Sequence, residues 1–422
     1  MQALEQLIEN SFLSRPFWSM AGVSQASLDA LINASSVWQR LISGLKTVLL
    51  PLIDALSPLL NQSIIQRILS VAYFCSILSI PVVSAFCSTT MIGLMVYAAT
   101  GLTLLNAIAQ RSWVRLGMID VLVGLFFLSA CLSTAFSSYW YTNIEGLGKF
   151  ATFACGYLVY RFFIEKFPKR YHWLYVLLML LAVFEVGVGA YQYVNHVEAL
   201  ATWQDPSVDP QLQMTRIFGT LQPSNPNLLA GFLLPILALV VGFVMRSFPK
   251  LKWSRLIVGA VVALSIMGAI VLTGSRGGYL GLTVMSLVSF LFIGHLLWHH
   301  PQLKDHPRYK AAWLISLISI LLLAIVAVLF VPAIQTRLLS IFSWRGDSSN
   351  AYRIMVWSST LRIIHDNWLF GIGPGNDTFK QVYGLYMTPG FNALGAYSVP
   401  LEIWAEQGII GLGIFILTPL ET

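Results

Sequence analysis

Residues 350–411 read NAYRIMVWSSTLRIIHDNWLFGIGPGNDTFKQVYGLYMTPGFNALGAYSVPLEIWAEQGIIG, the longest polar interval between the apolar runs of this chain. The stretch predicts an amphipathic helix at its start, capped by Asp347, Ser348 or Ser349, with Ile354, Trp357, Leu361 and Ile364 on one stripe. Helix cannot continue through Gly371-Ile372-Gly373-Pro374-Gly375-Asn376, where glycines permit positive φ and proline withdraws a donor. No strand precedes those glycines, so they are not a dinucleotide fingerprint. From Tyr397 a new apolar helix begins, with Glu402 and Glu406 near its start.

Outward from this stretch the chain is far more apolar than a soluble domain. Of its 422 residues, 57% are hydrophobic and 10% charged, and mean hydropathy is +0.73. The fold class expected is all-α: a polytopic helical membrane protein with about ten spans and one long outer loop between the last two. Candidate spans of roughly 20 residues lie near 67–86, 90–109, 118–136, 147–166, 173–193, 228–246, 254–273, 277–298, 311–332 and 398–419. Residues 1–65 form a separate region without a clear span. Within it Leu28, Leu31, Ile32, Trp38, Leu41, Leu45 and Leu49 recur at helical spacing, as in a helix lying on the bilayer or binding a partner. The membrane domain covers 66–422. It stops at Leu420-Glu421-Thr422, just past the tenth span and without a basic anchor, as a truncated chain would.

The net charge of +7 does not imply nucleic acid as a partner, because the cations sit in short loops. Arg111 and Arg115, then Lys166, Lys169 and Arg170, then Arg246, Lys250, Lys252 and Arg255, then Lys304, Arg308 and Lys310 fall in every second loop. Those loops are expected on the cytoplasmic side. The N-terminus is then inside, while 194–227 and 333–397 face outward, which in a bacterium is the periplasm. Cys75, Cys87, Cys131 and Cys155 lie singly along apolar runs and read as buried small hydrophobes. His295, His299, His300 and His306 gather at one span end and read as interfacial rather than as a metal site.

Arginines on the outer side run against the inside-positive bias, so they are candidates for anion binding. Arg216 precedes the corner Asn225-Pro226-Asn227, which opens a span whose first amides point outward. Arg276 follows the turn Thr273-Gly274-Ser275, and Arg353 shares a helix face with Trp357. A boundary arginine can also simply snorkel beside a capping Asn. Glu185 lies in mid-span, where an unpaired charge costs about 2.5 to 3.5 kcal/mol. It should face the bundle interior, as a hydrogen-bonding bridge or as a coupling group.

With Arg216, Asn225-Pro226-Asn227, Ser275-Arg276-Gly277-Gly278, Arg353 with Trp357, and Gly371-Ile372-Gly373-Pro374-Gly375-Asn376 in this order, residues 66–419 resemble the O-antigen ligase and polymerase family. Glu198-Ala199-Leu200-Ala201-Thr202-Trp203, Asp347-Ser348-Ser349-Asn350 and Tyr397-Ser398-Val399-Pro400-Leu401-Glu402 look like its cyanobacterial branch, whose members are described as bicarbonate transporters.

The resemblance implies glycan transfer from a polyprenyl-diphosphate donor on the outer face, with no metal or cofactor. In that family outward arginines hold the diphosphate, and these match Arg216, Arg276 and Arg353, with Asn225 and Asn227 beside the first. A loop histidine activates the acceptor. Glu406-Gln407-Gly408 is in register with the family pattern, and Tyr397 stands at the histidine position, which makes Tyr397, Glu402 and Glu406 the catalytic candidates. The partners implied are the lipid bilayer and either a polyprenyl-diphosphate-linked glycan or bicarbonate. Two further readings stand beside the transferase: an inorganic carbon transporter with Glu185 as its coupling carboxylate, and an inactive scaffold of the same family. Paired broken helices at mid-membrane would favour the transporter, but Pro81 and Pro235 do not occupy corresponding positions in two halves.

Overall fold

The computed structural model describes residues 51, 53–110, 114, 117–197, 215–247, 253–299, 305, 307–330 and 348–420. The expected surface helix in 28–49, the caps at Asp347, the basic positions Arg111, Arg115, Lys250, Lys252 and Lys304, and His300 and His306 lie outside the described residues, as do 198–214 and 331–347.

The described residues are helical, without strands. In order, the helices are α1 Ser63–Phe86, α2 Thr89–Ala109, α3 Met118–Phe136, α4 Trp140–Lys166, α5 Tyr171–Val194, α6 Pro226–Ser247, α7 Trp253–Leu272, α8 Arg276–His299, α9 Pro307–Phe330, α10 Ser348–Asp366, α11 Asn376–Tyr386 and α12 Val399–Leu420. Eight of them (α1, α2, α3, α5, α6, α7, α8 and α12) are long and apolar enough to cross a membrane. The remaining two expected spans fall on α4, of 27 residues, and α9, of 24. The protein is a multi-pass helical membrane protein.

Packing divides the helices into two groups joined where α1 meets α5. In one, α5 to α8 surround α6, whose Leu229, Leu233, Ile236, Leu237 and Val240 meet Leu181 of α5 and Ile266 and Ile270 of α7. In the other, Tyr73 and Ile77 of α1 pack on Val159, Phe162 and Phe163 of α4. The Tyr73 hydroxyl donates to Val159 O at 2.9 Å, so no polar group is stranded there. Helix α12 is the most enclosed span, with 39% of its apolar window buried against 17% for α8. It packs on α3 and on α10, and α10 in turn carries α11, which also meets α4.

Three expectations need correction. On α10, Ile354, Trp357 and Leu361 face outward and only Ile364 is buried, because the inward side is Val356, Ser359, Thr360 and Ile363. That side can be partly polar because the Thr360 hydroxyl is satisfied by Val356 O within its own helix. Helix α11 was not expected at all, although Phe379, Val382 and Tyr383 at helical spacing are its buried face. None of the four cysteines is fully buried, and Cys75 is exposed, since a surface facing lipid accepts an apolar thiol as readily as a core does.

Candidate functional site

Consecutive spans alternate in direction, so the starts of α4, α6, α8 and α12 and the ends of α3, α5 and α7 share one side of the bundle. Two polar clusters are built there.

The first is a loop, 215–225, that dips among α5, α6 and α7. Ile217 and Leu221 anchor it, buried in the core around α6, and the Ile217 N–H donates to Leu272 O at 3.2 Å. Asn225 caps α6, its Oδ1 accepting from Asn227 N–H at 2.9 Å, and Pro226 takes the first helical position, where no donor is needed. Ser275 caps α8 by accepting from Gly278 N–H at 3.2 Å. Between these two helix starts lies Arg216. Its Nε donates to Thr273 O at 2.8 Å and its Nη2 to Asn227 Oδ1 at 3.4 Å, which fixes the guanidinium plane. A Cβ on Gly274 would come within 3.1 Å of Arg216 Nε, so the arginine lies against the turn that leads into Arg276. The structure therefore brings Arg216, Asn225, Asn227 and the start of α8, at Arg276, into one corner.

The second cluster is the glycine turn docked on a broken helix. Inside α12, Gly408 has φ 67° and ψ −168°, so the helical ladder is interrupted. The turn supplies the missing partners. Ile372 and Gly373 donate to Ala405 O and Glu406 O at 2.9 and 3.0 Å, and Trp368 O accepts from Ile409 N–H at 2.8 Å. Gly371, Gly373 and Gly375 all have positive φ. The Glu406 carboxylate, 5% exposed, accepts from Gly375 N–H at 3.0 Å. Ser133 donates to Glu406 O and Ser129 to Gln407 Oε1, each at 2.5 Å, while Ser137 donates to Ile372 O. Asn143 of α4 accepts from Thr378 of α11. Ser129 and Ser133, Asn143, Thr378 and Gln407 were missed in the sequence, although the two serines stand four residues apart on one face of α3.

Gly408 has no substitute, because a Cβ there would lie 2.0 Å from Leu369 O and would meet backbone rather than a side chain that can move. Gly408→Ala is expected to destabilise the protein by about 2 to 6 kcal/mol, adding about 1–3 for the disfavoured backbone and about 1–3 for overpacking. Gly413→Ala, where a Cβ meets nothing within 4 Å, is the control. Thermal unfolding of both variants in detergent checks this, and equal midpoints would contradict it.

Tyr397 sits at the outer edge of this cluster, 49% exposed, with φ 51°. Positive φ is uncommon for a bulky residue and marks a position that its surroundings hold. Trp357 Nε1 donates to Ala396 O at 2.9 Å, and a Cβ on Gly395 would lie 3.1 Å from Glu402 Oε1, so the segment before Tyr397 is held by Trp357 and lies against Glu402. The Tyr397 ring meets Tyr352 edge-on at 5.8 Å. Burial, and then Tyr397, push the Tyr352 phenol well above the ordinary tyrosine range. Its own proton goes to Asn392 O. Arg353 is the next residue on α10, half-buried, and stands with this second cluster. At the other end of α10, hydrogen bonds from His365 and then Tyr386 hold the exposed Asp366 below the usual carboxylate range.

Residues 260–416 match the protein family described as O-Antigen ligase. That segment is similar to the O-antigen ligase family. No curated protein and no solved structure matches the chain. The matched segment holds Arg276, Arg353, the glycine turn, Tyr397, Glu402 and Glu406. Arg216 precedes it in sequence, yet its Nε is bonded to Thr273 within it.

Proposed function

We propose that this protein transfers a glycan from a polyprenyl-diphosphate donor to an acceptor hydroxyl on the outer, periplasmic face of a bacterial inner membrane, its N-terminus being cytoplasmic. The observation that carries this reading is the Arg216 corner. There a guanidinium with a fixed plane lies between the starts of α6 and α8, whose first N–H groups point the same way. Helix starts and arginine favour phosphate oxygens, and oriented donors stabilise charge that grows as a diphosphate leaves.

In the reaction the acceptor oxygen bonds to the anomeric carbon, the glycosyl–phosphate C–O bond breaks, and polyprenyl diphosphate departs with the electron pair. Arg216 and Arg276 hold that leaving group. Tyr397 relays the acceptor proton, its half-exposed hydroxyl taking that proton as it gives its own to water, while Glu406 holds the glycine turn through Gly375 N–H and Glu402 lies against Gly395. Arg353, beside Tyr352, supplies positive field at the same end.

Glu185 bears on the transporter reading. It is fully buried, and both its oxygens are engaged by Thr220, one with the N–H at 2.9 Å and one with the hydroxyl. Those contacts support a bridging role for Glu185. Labelled bicarbonate flux into proteoliposomes separates the two readings, with a cysteine at Ser349 and an impermeant thiol reagent reporting orientation. Flux no faster than in protein-free vesicles is expected. Flux that Glu185→Gln abolishes would overturn the transferase reading, and labelling at Ser349 only after lysis would overturn the outward assignment.

A further inference from the structure

Two side chains on α5, seven residues apart and so on one helix face, grip the loop that bears Arg216. Gln192 is 6% exposed and uses both ends of its amide. Its Oε1 accepts from Phe218 N–H at 3.0 Å and Gly219 N–H at 2.9 Å, and its Nε2 donates to Gly219 O at 2.9 Å. Glu185 takes the next residue, accepting from Thr220 N–H and meeting the Thr220 hydroxyl, which also lies 3.0 Å from Ala85 O. Between the two grips, Gly219 has φ 67°, and a Cβ there would lie 2.1 Å from Glu185 Oε2. Three consecutive peptide units of a non-helical loop are thus satisfied by two side chains, at a depth where water does not do so. Arg216 is two residues from Phe218, and only the tight fit of Ile217 separates them.

We propose that Glu185 and Gln192 are positioning residues for anion binding: they set the depth of the 217–221 loop and thereby hold Arg216 against Thr273. This rests on the proposed diphosphate site for its consequence, but the grip itself is independent of it. A loop released from Glu185 and Gln192 would be held only by Ile217 and Leu221, and its looser backbone would let Arg216 shift from the start of α8.

The chemistry of each variant follows from its donors and acceptors. Glu185→Gln keeps the grip, since its oxygen accepts from Thr220 N–H and its amide donates to the Thr220 hydroxyl, whose own proton passes to Ala85 O. Glu185→Met and Gln192→Met keep the length of the side chain and remove the hydrogen bonds. Gln192→Glu keeps both acceptor contacts but sets an oxygen against Gly219 O.

The test uses full-length protein and three readouts: backbone hydrogen exchange over 217–221, binding of inorganic pyrophosphate, and KM against kcat with a polyprenyl-diphosphate-linked glycan. Both Met variants are expected to exchange at least tenfold faster at 218–220, with α6 and α7 unchanged. They should also bind pyrophosphate at least tenfold more weakly and raise KM more than they lower kcat. Glu185→Gln should resemble the wild type in all three. Unchanged exchange in the Met variants, or faster exchange with pyrophosphate binding intact, overturns the proposal. Should the Met variants fail to fold, Gln192→Glu decides by the same exchange measurement. If the wild type transfers no glycan, the functional reading fails, while exchange and pyrophosphate binding still judge the positioning role.

Discussion

Tyr397→Phe is expected to fold like the wild type and to lose glycan transfer by about 10²- to 10⁴-fold, the range for removing a general acid or base. The change leaves the ring and its edge-on contact with Tyr352 at 5.8 Å and deletes only the hydroxyl. The stability cost is about 1 kcal/mol for one hydrogen bond, too little to unfold a chain of this size. An ordinary tyrosine, with a pKa of about 10, is a weak base, so the hydroxyl has to act through a partner. Tyr352, committed to Asn392 O, cannot take that proton, and Glu406 is bound to Gly375 N–H, so the partner is water at this half-exposed position. Tyr397→His is the informative companion. Histidine tolerates positive φ better than tyrosine does, and its imidazole ionises near neutral pH, so this variant should retain or gain transfer. Activity equal to wild type in the Phe variant would remove Tyr397 from the chemistry and leave its ring as packing at the mouth of α12.

Arg216→Lys is expected to lower kcat/KM by about 10²-fold. Lysine keeps the charge but cannot reproduce a planar fork with one edge on Thr273 O and another on Asn227. Without those two contacts to aim it, the side chain also forfeits the second arm of a forked, charge-assisted contact to phosphate, about 3 kcal/mol or roughly that factor. The loss should appear with fold intact, because Ile217 and Leu221 still anchor the loop. A Lys variant with wild-type kcat/KM would mean that Arg216 contributes charge alone.

Much of this architecture was legible because lipid imposes length and apolarity on every span. The last apolar run read correctly as a helix, although it begins at Val399 and leaves Tyr397 outside, and the Asn225-Pro226-Asn227 and Ser275-Arg276 corners read correctly as helix starts, since capping chemistry is local. The polarity of α10 did not, because Thr360 is satisfied by its own helix and Ser359 accepts from Arg362, so both can turn inward and leave Ile354, Trp357 and Leu361 outside. Helix α11 escaped notice because it has 11 residues, with Gly384 near its end. The break at Gly408 was hidden for another reason: it is stable only because Trp368 and the glycine turn complete its hydrogen bonds, a relation between segments some 40 positions apart. Gln192 could have been found, since it repeats the Glu185 face two turns on. What no spacing could reveal is that both reach the same loop.

Transfer itself is the most direct test. Purified full-length protein is mixed with a labelled polyprenyl-diphosphate-linked glycan and candidate acceptors, beside Arg216→Lys, Arg276→Lys and Tyr397→Phe. The expected result is release of polyprenyl diphosphate and label in the acceptor by the wild type, reduced at least tenfold in every variant. Release equal in the wild type and all three variants, or no release by the wild type in proteoliposomes that do take up bicarbonate, would contradict a diphosphate-leaving transferase built on these residues.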